Sequence, residues 1–282
     1  MSSNIELSNM HADMTHAAFN SGYAYKRWAR ALNVMLEKEP GNIKVDKLRA
    51  ILLLEADFNF GNKLIFGKRM MNGLEDGNLI PQEQFGSRKE HKAIEVALNR
   101  RLVSDLSRLK RRPTTIVGAD AGHCFDRISH LFMALACLSV GINMTAVRTL
   151  LQALQNMKIW VRTGYGESKE SFGGTALKPH QGVRQGNGAG PALWLIVSLY
   201  ILKMMISLGF ASQVISATSL ITFSFIGFAF VDDTDLIVFG NKNDTQNTVV
   251  TKSRKMVKKW QECLLVSGGI LRPEKCYWYS LN

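Results

Sequence analysis

Proline is scarce in this chain, six residues in 282, and no segment is a repeat or a low-complexity run, so collagen-like and largely disordered classes have no compositional basis. Cysteine is scarcer still. Cys124, Cys137, Cys263 and Cys276 form no Cys-x-x-Cys pair and accompany no histidine cluster, which removes zinc ribbons and redox motifs and makes a reduced chain, intracellular and nuclear or cytoplasmic, the expectation. The N-terminus lacks a basic run followed by an apolar one, so no secretory signal is visible. Charge is missing in one long stretch: from Gly186 to Val231 the only charged residue is Lys203, and 190–209 has the length of a bilayer span. Lys203 near its middle and the two carboxylates that close the β-branched, aromatic run 213–231 are costly at membrane depth, so a core helix and a buried strand are expected and no membrane partner. Acid is short overall. Against 35 Lys+Arg stand 23 Asp+Glu, a net charge of +12, the direction of a protein that meets a polyanion. With 46% apolar residues the chain can bury one large core or two modest ones.

Along the chain, Ala24, Trp28, Leu32 and Leu36 suggest a helix from about Met14 to the stop at Pro40-Gly41. Leu48 to Leu54 is an apolar run followed by basic residues. Gln84-Phe85-Gly86-Ser87-Arg88-Lys89 reads as the opening of a helix whose stripe, Ile94, Leu98, Leu102, Leu106 and Leu109, has the spacing of a packed face and ends in Lys110-Arg111-Arg112-Pro113. Those last cations suit phosphate or a solvated helix end equally. Thr114-Thr115-Ile116-Val117 predicts a short buried strand delivering Asp120. Helices are expected at 127–138 and 144–160, at Pro191 onward and near 251–266, with strands over 213–231 and 234–240.

Asp232-Asp233 falls between two apolar runs of strand length and so in a tight turn. Taken alone, the pair suits an ordinary surface β-turn. Asp120 at the end of another apolar strand changes the weighing, because carboxylates gathered at adjacent strand ends repel unless they share cations. Magnesium takes such oxygen ligands and leaves positions for phosphates, which points to two-metal phosphoryl transfer.

Four segments then carry a family resemblance: Asp120-Ala121-Gly122-His123-Cys124-Phe125-Asp126, Gly182-Val183-Arg184-Gln185-Gly186, Phe230-Val231-Asp232-Asp233 and Gly269-Ile270-Leu271-Arg272-Pro273-Glu274-Lys275-Cys276. In order and spacing, from about Leu48 to Tyr279, they resemble the reverse transcriptase domain, most closely its non-LTR retrotransposon and group II intron branch. The resemblance implies an α+β fold of right-hand fingers and palm, an antiparallel palm sheet packed by helices, with the chain stopping before a thumb. It implies an N-terminal helical extension over 1–44, fingers over 45–113 and palm over 114–282, with further fingers elements around 140–180. The implied activity is RNA-directed DNA polymerisation with two Mg2+ ions, or Mn2+, on an RNA template, a DNA primer and deoxynucleoside triphosphates. Asp120 and Asp232 would be the metal ligands and Asp233 their catalytic partner. Phe125 would lie under the sugar, Gln185 and Gly186 would line the nucleotide pocket, and Arg49, Arg88 and Lys275 would contact triphosphate. Lys63, Lys68, Arg69 and Lys89 would meet nucleic acid. His123, Cys124 and the segment Asn187-Gly188-Ala189-Gly190 depart from the usual letters. A catalytically silent nucleic-acid-binding remnant and an RNA-directed RNA polymerase are the alternatives.

Overall fold

The computed structural model describes residues 4–175, 177–216 and 221–281. Helix α1 (Ile5–Ser21) starts where the Asn4 side chain accepts from the Glu6 and Leu7 amides and stops at Gly22, whose φ of 73° is left-handed. The helix expected to run from Met14 to Leu36 therefore ends early. Leu32 and Leu36 lie instead in β1 (Arg30–Glu37), which pairs antiparallel with β2 (Leu48–Leu54) from Ala31↔Leu54 to Glu37↔Leu48. Cross-strand pairing on two sides of β1 outweighs the helix-like spacing of Ala24, Trp28, Leu32 and Leu36. After α2 (Ala56–Leu64), a π-helical turn at Ile65–Met70 leads into α3 (Met71–Asp76).

The segment 84–89 does not open the next helix, because Ser87 and Glu90 both have positive φ. Helix α4 (Ala93–Lys110) begins after them, with the Glu95 carboxylate accepting from the Lys92 amide. Its face is also turned from the expected one. Ile94, Leu98, Leu102 and Leu109 are exposed, while Val103 and Ser107 are buried and Leu106 packs on the core. The inward side carries polar work: the Ser107 hydroxyl donates to the Arg112 carbonyl and Arg100 meets Asp235.

Strand β3 (Thr114–Asp120) is buried along nearly its whole length. It is followed by α5 (Cys124–Arg127), α6 (His130–Ser139) and α7 (Met144–Gln155). Helix α7 stops five residues short of the expected 160, since Ile159 and its neighbours form β4 (Lys158–Thr163), a parallel partner of β1. The short strands β5 (Gly166–Glu167) and β6 (Phe172–Gly173) pair with β4. Then come α8 (Gly190–Ser207), β7 (Ser212–Ile215), β8 (Thr222–Phe225), β9 (Gly227–Phe230), β10 (Asp233–Phe239), α9 (Gln246–Val266) and β11 (Tyr277–Leu281). The run 213–231 is thus three strands rather than one; 217–220 lies outside the described residues. Its second break falls at Gly227, where φ is 152° and a Cβ would stand 1.8 Å from the Asp235 carbonyl oxygen.

The chain divides into two compact units, one comprising the chain up to Leu74 with Phe125–Leu193, the other Glu75–Cys124 with Trp194 onward. In the first, the sheet ordered β2-β1-β4-β5 accompanies packed α1, α2 and α7, with Trp28 stacked on Phe58 at 5.2 Å in its core. In the second, the antiparallel sheet ordered β11-β3-β10-β9 is packed by α4 and α9 around Val103, Ile116, Phe225, Ile237 and Phe239. Among the described residues one helix, Gly190–Ser207, is long and apolar enough to cross a membrane, and 67% of it is buried in the protein.

Candidate active site

Strand β3 ends and β10 begins at the same edge of the second unit's sheet. Their antiparallel register sets Asp233 directly opposite Asp120, and Asp232 occupies the turn just before. Apolar burial explains the placement: Ile116–Ile237 and Val117–Leu236 form the ladder behind them, all four buried, so the carboxylates emerge where the apolar letters stop. Burial pushes the Asp233 carboxyl upward, and the charges of Asp232, Asp120 and Asp235 push the same way, with Lys275 opposing. The Lys275 ammonium lies 3.8 Å from Asp120, and the Cys124 thiol donates to Asp232 at 3.5 Å.

The turn itself is held hard. Val231 has φ of 59°, a costly conformation for a β-branched residue. Gln84, fully buried, grips it from both sides: its amide oxygen accepts from the Val231 amide at 3.2 Å and from Gly86 at 2.9 Å, while its amide nitrogen donates to the Val231 carbonyl at 3.3 Å and to Ser198 at 3.1 Å. The Trp194 indole donates to the same carbonyl at 2.7 Å. Gly86 permits the approach, since a Cβ there would stand 2.0 Å from the Val231 nitrogen.

On the other side Ile270–Arg272 fastens the end of β3. The Gly122 amide donates to the Ile270 carbonyl, the Arg272 amide donates to the Asp120 carbonyl, and the Arg272 guanidinium meets the His123 ring. One register step inward, Tyr277 lies on Gly118 and donates to Asp235 at 2.8 Å, with Arg100 3.7 Å from the same carboxylate. Burial first, and then Asp235, raises the Tyr277 phenol to about 12.

The remaining residues singled out from the sequence divide between the units. In the first unit Gln185 and Gly186 dock on β2, the strand that carries exposed Arg49: the Leu52 amide donates to the Gln185 carbonyl at 2.8 Å, and a Cβ on Gly186 would stand 2.2 Å from the Leu52 oxygen. Asn59 secures this loop through the Gly186 carbonyl and the Gly188 amide. Phe125 is half-buried, with Gly190 beside its ring and its carbonyl accepting from the Val183 and Arg184 amides. Lys63, Lys68 and Arg69 are exposed. In the second unit Arg88, expected from the sequence at the triphosphate, spans both Glu75 oxygens at 2.8 Å and holds that carboxyl below its usual range. Lys89 is exposed, 3.6 Å from Glu90.

Sequence reasoning missed Gln84, Trp194 and the Arg100–Asp235–Tyr277 set. Asp235 sits two residues beyond Asp233 and hence on the same strand face, and Gly118 two residues before Asp120 invites close approach; these were the available signals.

Among the described residues no group of three His, Cys, Asp or Glu side chains is drawn together tightly enough to form a metal cage. Magnesium does not require one. It is bound through one or two carboxylates together with substrate phosphates, and three carboxylates at one strand edge, of which Asp233 has its proton affinity raised by burial and by the charges of the other two, are a donor set that such a cation would relieve.

Residues 37–281 match the family described as Reverse transcriptase (RNA-dependent DNA polymerase). A search of curated proteins gave no match. Among solved structures, apo telomerase from Candida tropicalis truncated from its C-terminal domain aligns with a TM-score of 0.58 at 12% identity over 98% of this chain and 55% of that one. Telomerase from Candida albicans in complex with a TWJ fragment of telomeric RNA aligns with a TM-score of 0.57 at 10% identity over 97% and 45%. The chain spans about half the length of these telomerases, and likeness at such identity speaks of fold: a mixed α+β arrangement of the fingers-and-palm kind.

Proposed function

The chain belongs to the reverse transcriptase family, and from that premise we propose that it is an RNA-directed DNA polymerase unit extending a DNA primer on an RNA template with deoxynucleoside triphosphates. The observation that carries the reading is the direct opposition of Asp120 and Asp233 with Asp232 in the adjoining turn. The unit with this edge acts as palm and the other as fingers. Asp120 and Asp232 would hold two divalent ions, Mg2+ or Mn2+, which when bound supply charge neutralisation at the attacking hydroxyl and the leaving oxygen. Asp233, with its raised proton affinity, supports the pair from behind rather than adding a third full ligand charge. Lys275, 3.8 Å from Asp120, would give a proton to departing pyrophosphate. Arg49, Gln185 and Gly186, brought together on β2, serve the incoming nucleotide, and Phe125 bears on its sugar. Arg88 instead braces the segment that carries Gln84. The motif letters favour the non-LTR and group II intron branch.

The test is extension of a labelled primer on RNA and DNA templates with magnesium or manganese. Deoxynucleotide addition on RNA is expected. Addition of ribonucleotides alone would favour an RNA-directed RNA polymerase, and template binding without addition of either would favour a silent binding remnant.

A further inference from the structure

The second unit has two ends. One holds the carboxylates at the start of β10; at the other, about six residues or ~20 Å away along the strand, β10 ends at Phe239. Around that remote end positive charge accumulates. The Gly240 amide donates to the Pro113 carbonyl at 2.9 Å, which ties the residue after the basic tail of α4 to the end of β10. The Arg112 guanidinium lies over the Phe239 ring at 5.7 Å, and Lys110 donates to the Ile215 carbonyl at 2.9 Å. Phe239 in turn lines a concavity of about 360 Å³ shared with Gln213, Asn241, Lys252 and Lys255. From there the exposed side of α9 continues through Arg254 and Lys258.

The acids that face this surface are already used. Asp244 pairs with Lys252 at 2.9 Å, and Glu262 pairs with Lys259. Among the described residues Arg111, Arg254, Lys255 and Lys258 make no ion pair. A solvated helix face would explain the cations of α9 alone, but not a concave hollow that combines Lys252 and Lys255 with the amides of Gln213 and Asn241 and with a Phe239 whose ring also carries Arg112.

We propose that this end of the unit is a second nucleic-acid surface, in which Arg111, Arg112, Arg254, Lys255 and Lys258 track the phosphates of an RNA strand and the hollow beside Lys252 seats one of its nucleotides. Guanidinium groups suit phosphate bidentately, and Gln213 and Asn241 offer both donors and acceptors to a ribose or base edge. A lipid surface is the less suited occupant: over 251–258 the exposed side of α9 presents Thr251, Lys252, Arg254, Lys255 and Lys258 and no large apolar residue to enter a bilayer. The surface lies apart from the carboxylate edge, so its role is to hold template independently of chemistry.

The experiment measures binding of a labelled single-stranded RNA to the full chain as a function of salt, which needs no turnover and so stands whether or not polymerisation is detected. For single strands the slope of log affinity against log salt changes by about 0.7 per phosphate contact. The triple variant Arg254→Gln/Lys255→Gln/Lys258→Gln, all exposed positions, should shallow the slope by about two units with an unchanged melting temperature, whereas Asp232→Asn should leave the slope alone. Arg111→Gln should add to the loss. An unchanged slope in the triple variant overturns the proposal. So does preferential binding of anionic phospholipid vesicles over RNA by the parent chain with only the vesicle binding lost in the variant.

Discussion

The sheet of β3 and β10 buries its central strands along almost their whole length, whereas β1 and β2 in the other unit are mostly exposed or half-buried, with one buried residue each. On the proposed reading, function divides in the same way. Carboxylates that must hold a fixed geometry emerge from the fully buried ladder, where neighbouring apolar pairs leave the backbone no alternative register. The open sheet carries Arg49 and receives the Gln185–Gly186 loop, positions suited to contacts that come and go with substrate. The chain spends its strain and its buried polar bonds on the first sheet: a left-handed Val231 gripped by Gln84 and Trp194 has no counterpart on β1 or β2 among the described residues.

If this contrast is right, the two units answer mutation differently. The largest effect after the carboxylates themselves belongs to the turn. Gln84→Met leaves the Val231 and Gly86 amides without their acceptor, which costs about 1–3 kcal/mol and should lower kcat by more than about tenfold with little change in nucleotide KM. Val231→Gly in the same background removes the left-handed strain and should restore part of kcat. Asn59→Ala, which loosens the Gly186–Gly188 loop, should instead raise nucleotide KM. A KM effect from Gln84 or a pure kcat effect from Asn59, measured in steady-state extension, would erase the distinction.

Next in size, Phe125→Ala should raise ribonucleotide use relative to deoxynucleotide by about tenfold or more, because the half-buried ring, in its proposed place beside the sugar, would exclude a hydroxyl by bulk. A lowered melting temperature with an unchanged ratio would make Phe125 only a packing residue.

Acid should then weaken the first unit. His130 is buried and held neutral by burial, and its Nε2 donates to the Gly182 carbonyl at 2.8 Å. Its folded pKa is depressed, so the unfolded chain takes up a proton first: the stability is present above the ordinary histidine pKa of about 6.5 and is lost as pH falls through and below it. Hydrogen exchange between pH 7 and 5 should show protection falling around α6 and the 182–184 loop, and His130→Gln should flatten that dependence. Equal loss in β3 and β10 would contradict a local cause.

The smallest effect concerns Lys68 and Arg69. Replacing both by Ala should shallow the salt dependence of template binding by roughly one unit, read by titration at several ionic strengths; an unchanged slope would make them solvated charges.

How far the sequence disclosed all this follows burial. Thr114–Asp120 and Asp233–Phe239 are legible because continuous apolar runs leave one solution, and α8 and α9 are long enough to read by length, whereas the breaks within 213–231 are not. Leu32 and Leu36 mislead because a half-exposed strand lacks both the apolar run and the clean alternation, and its identity comes from partners at 48–54 and 158–163. Leu98 and Leu102 mislead in another way: helical spacing locates a face but not which face turns inward when Arg100 must reach Asp235. At the candidate site the carboxylates were legible as letters. Gln84 was not, because its partner is the backbone of Val231, 147 residues away, as both donor and acceptor, and backbone partners leave no pattern in sequence.

The most direct measurement is single-nucleotide addition to a primer annealed on RNA, comparing the parent chain with Asp120→Asn and Asp232→Asn at matched folding as judged by circular dichroism and melting. The account predicts addition by the parent and a loss of at least about a hundredfold in each variant, the several kcal/mol expected when a ligand charge is withdrawn from a site of this kind. Retention of more than about a tenth of the parent rate by either variant would contradict it.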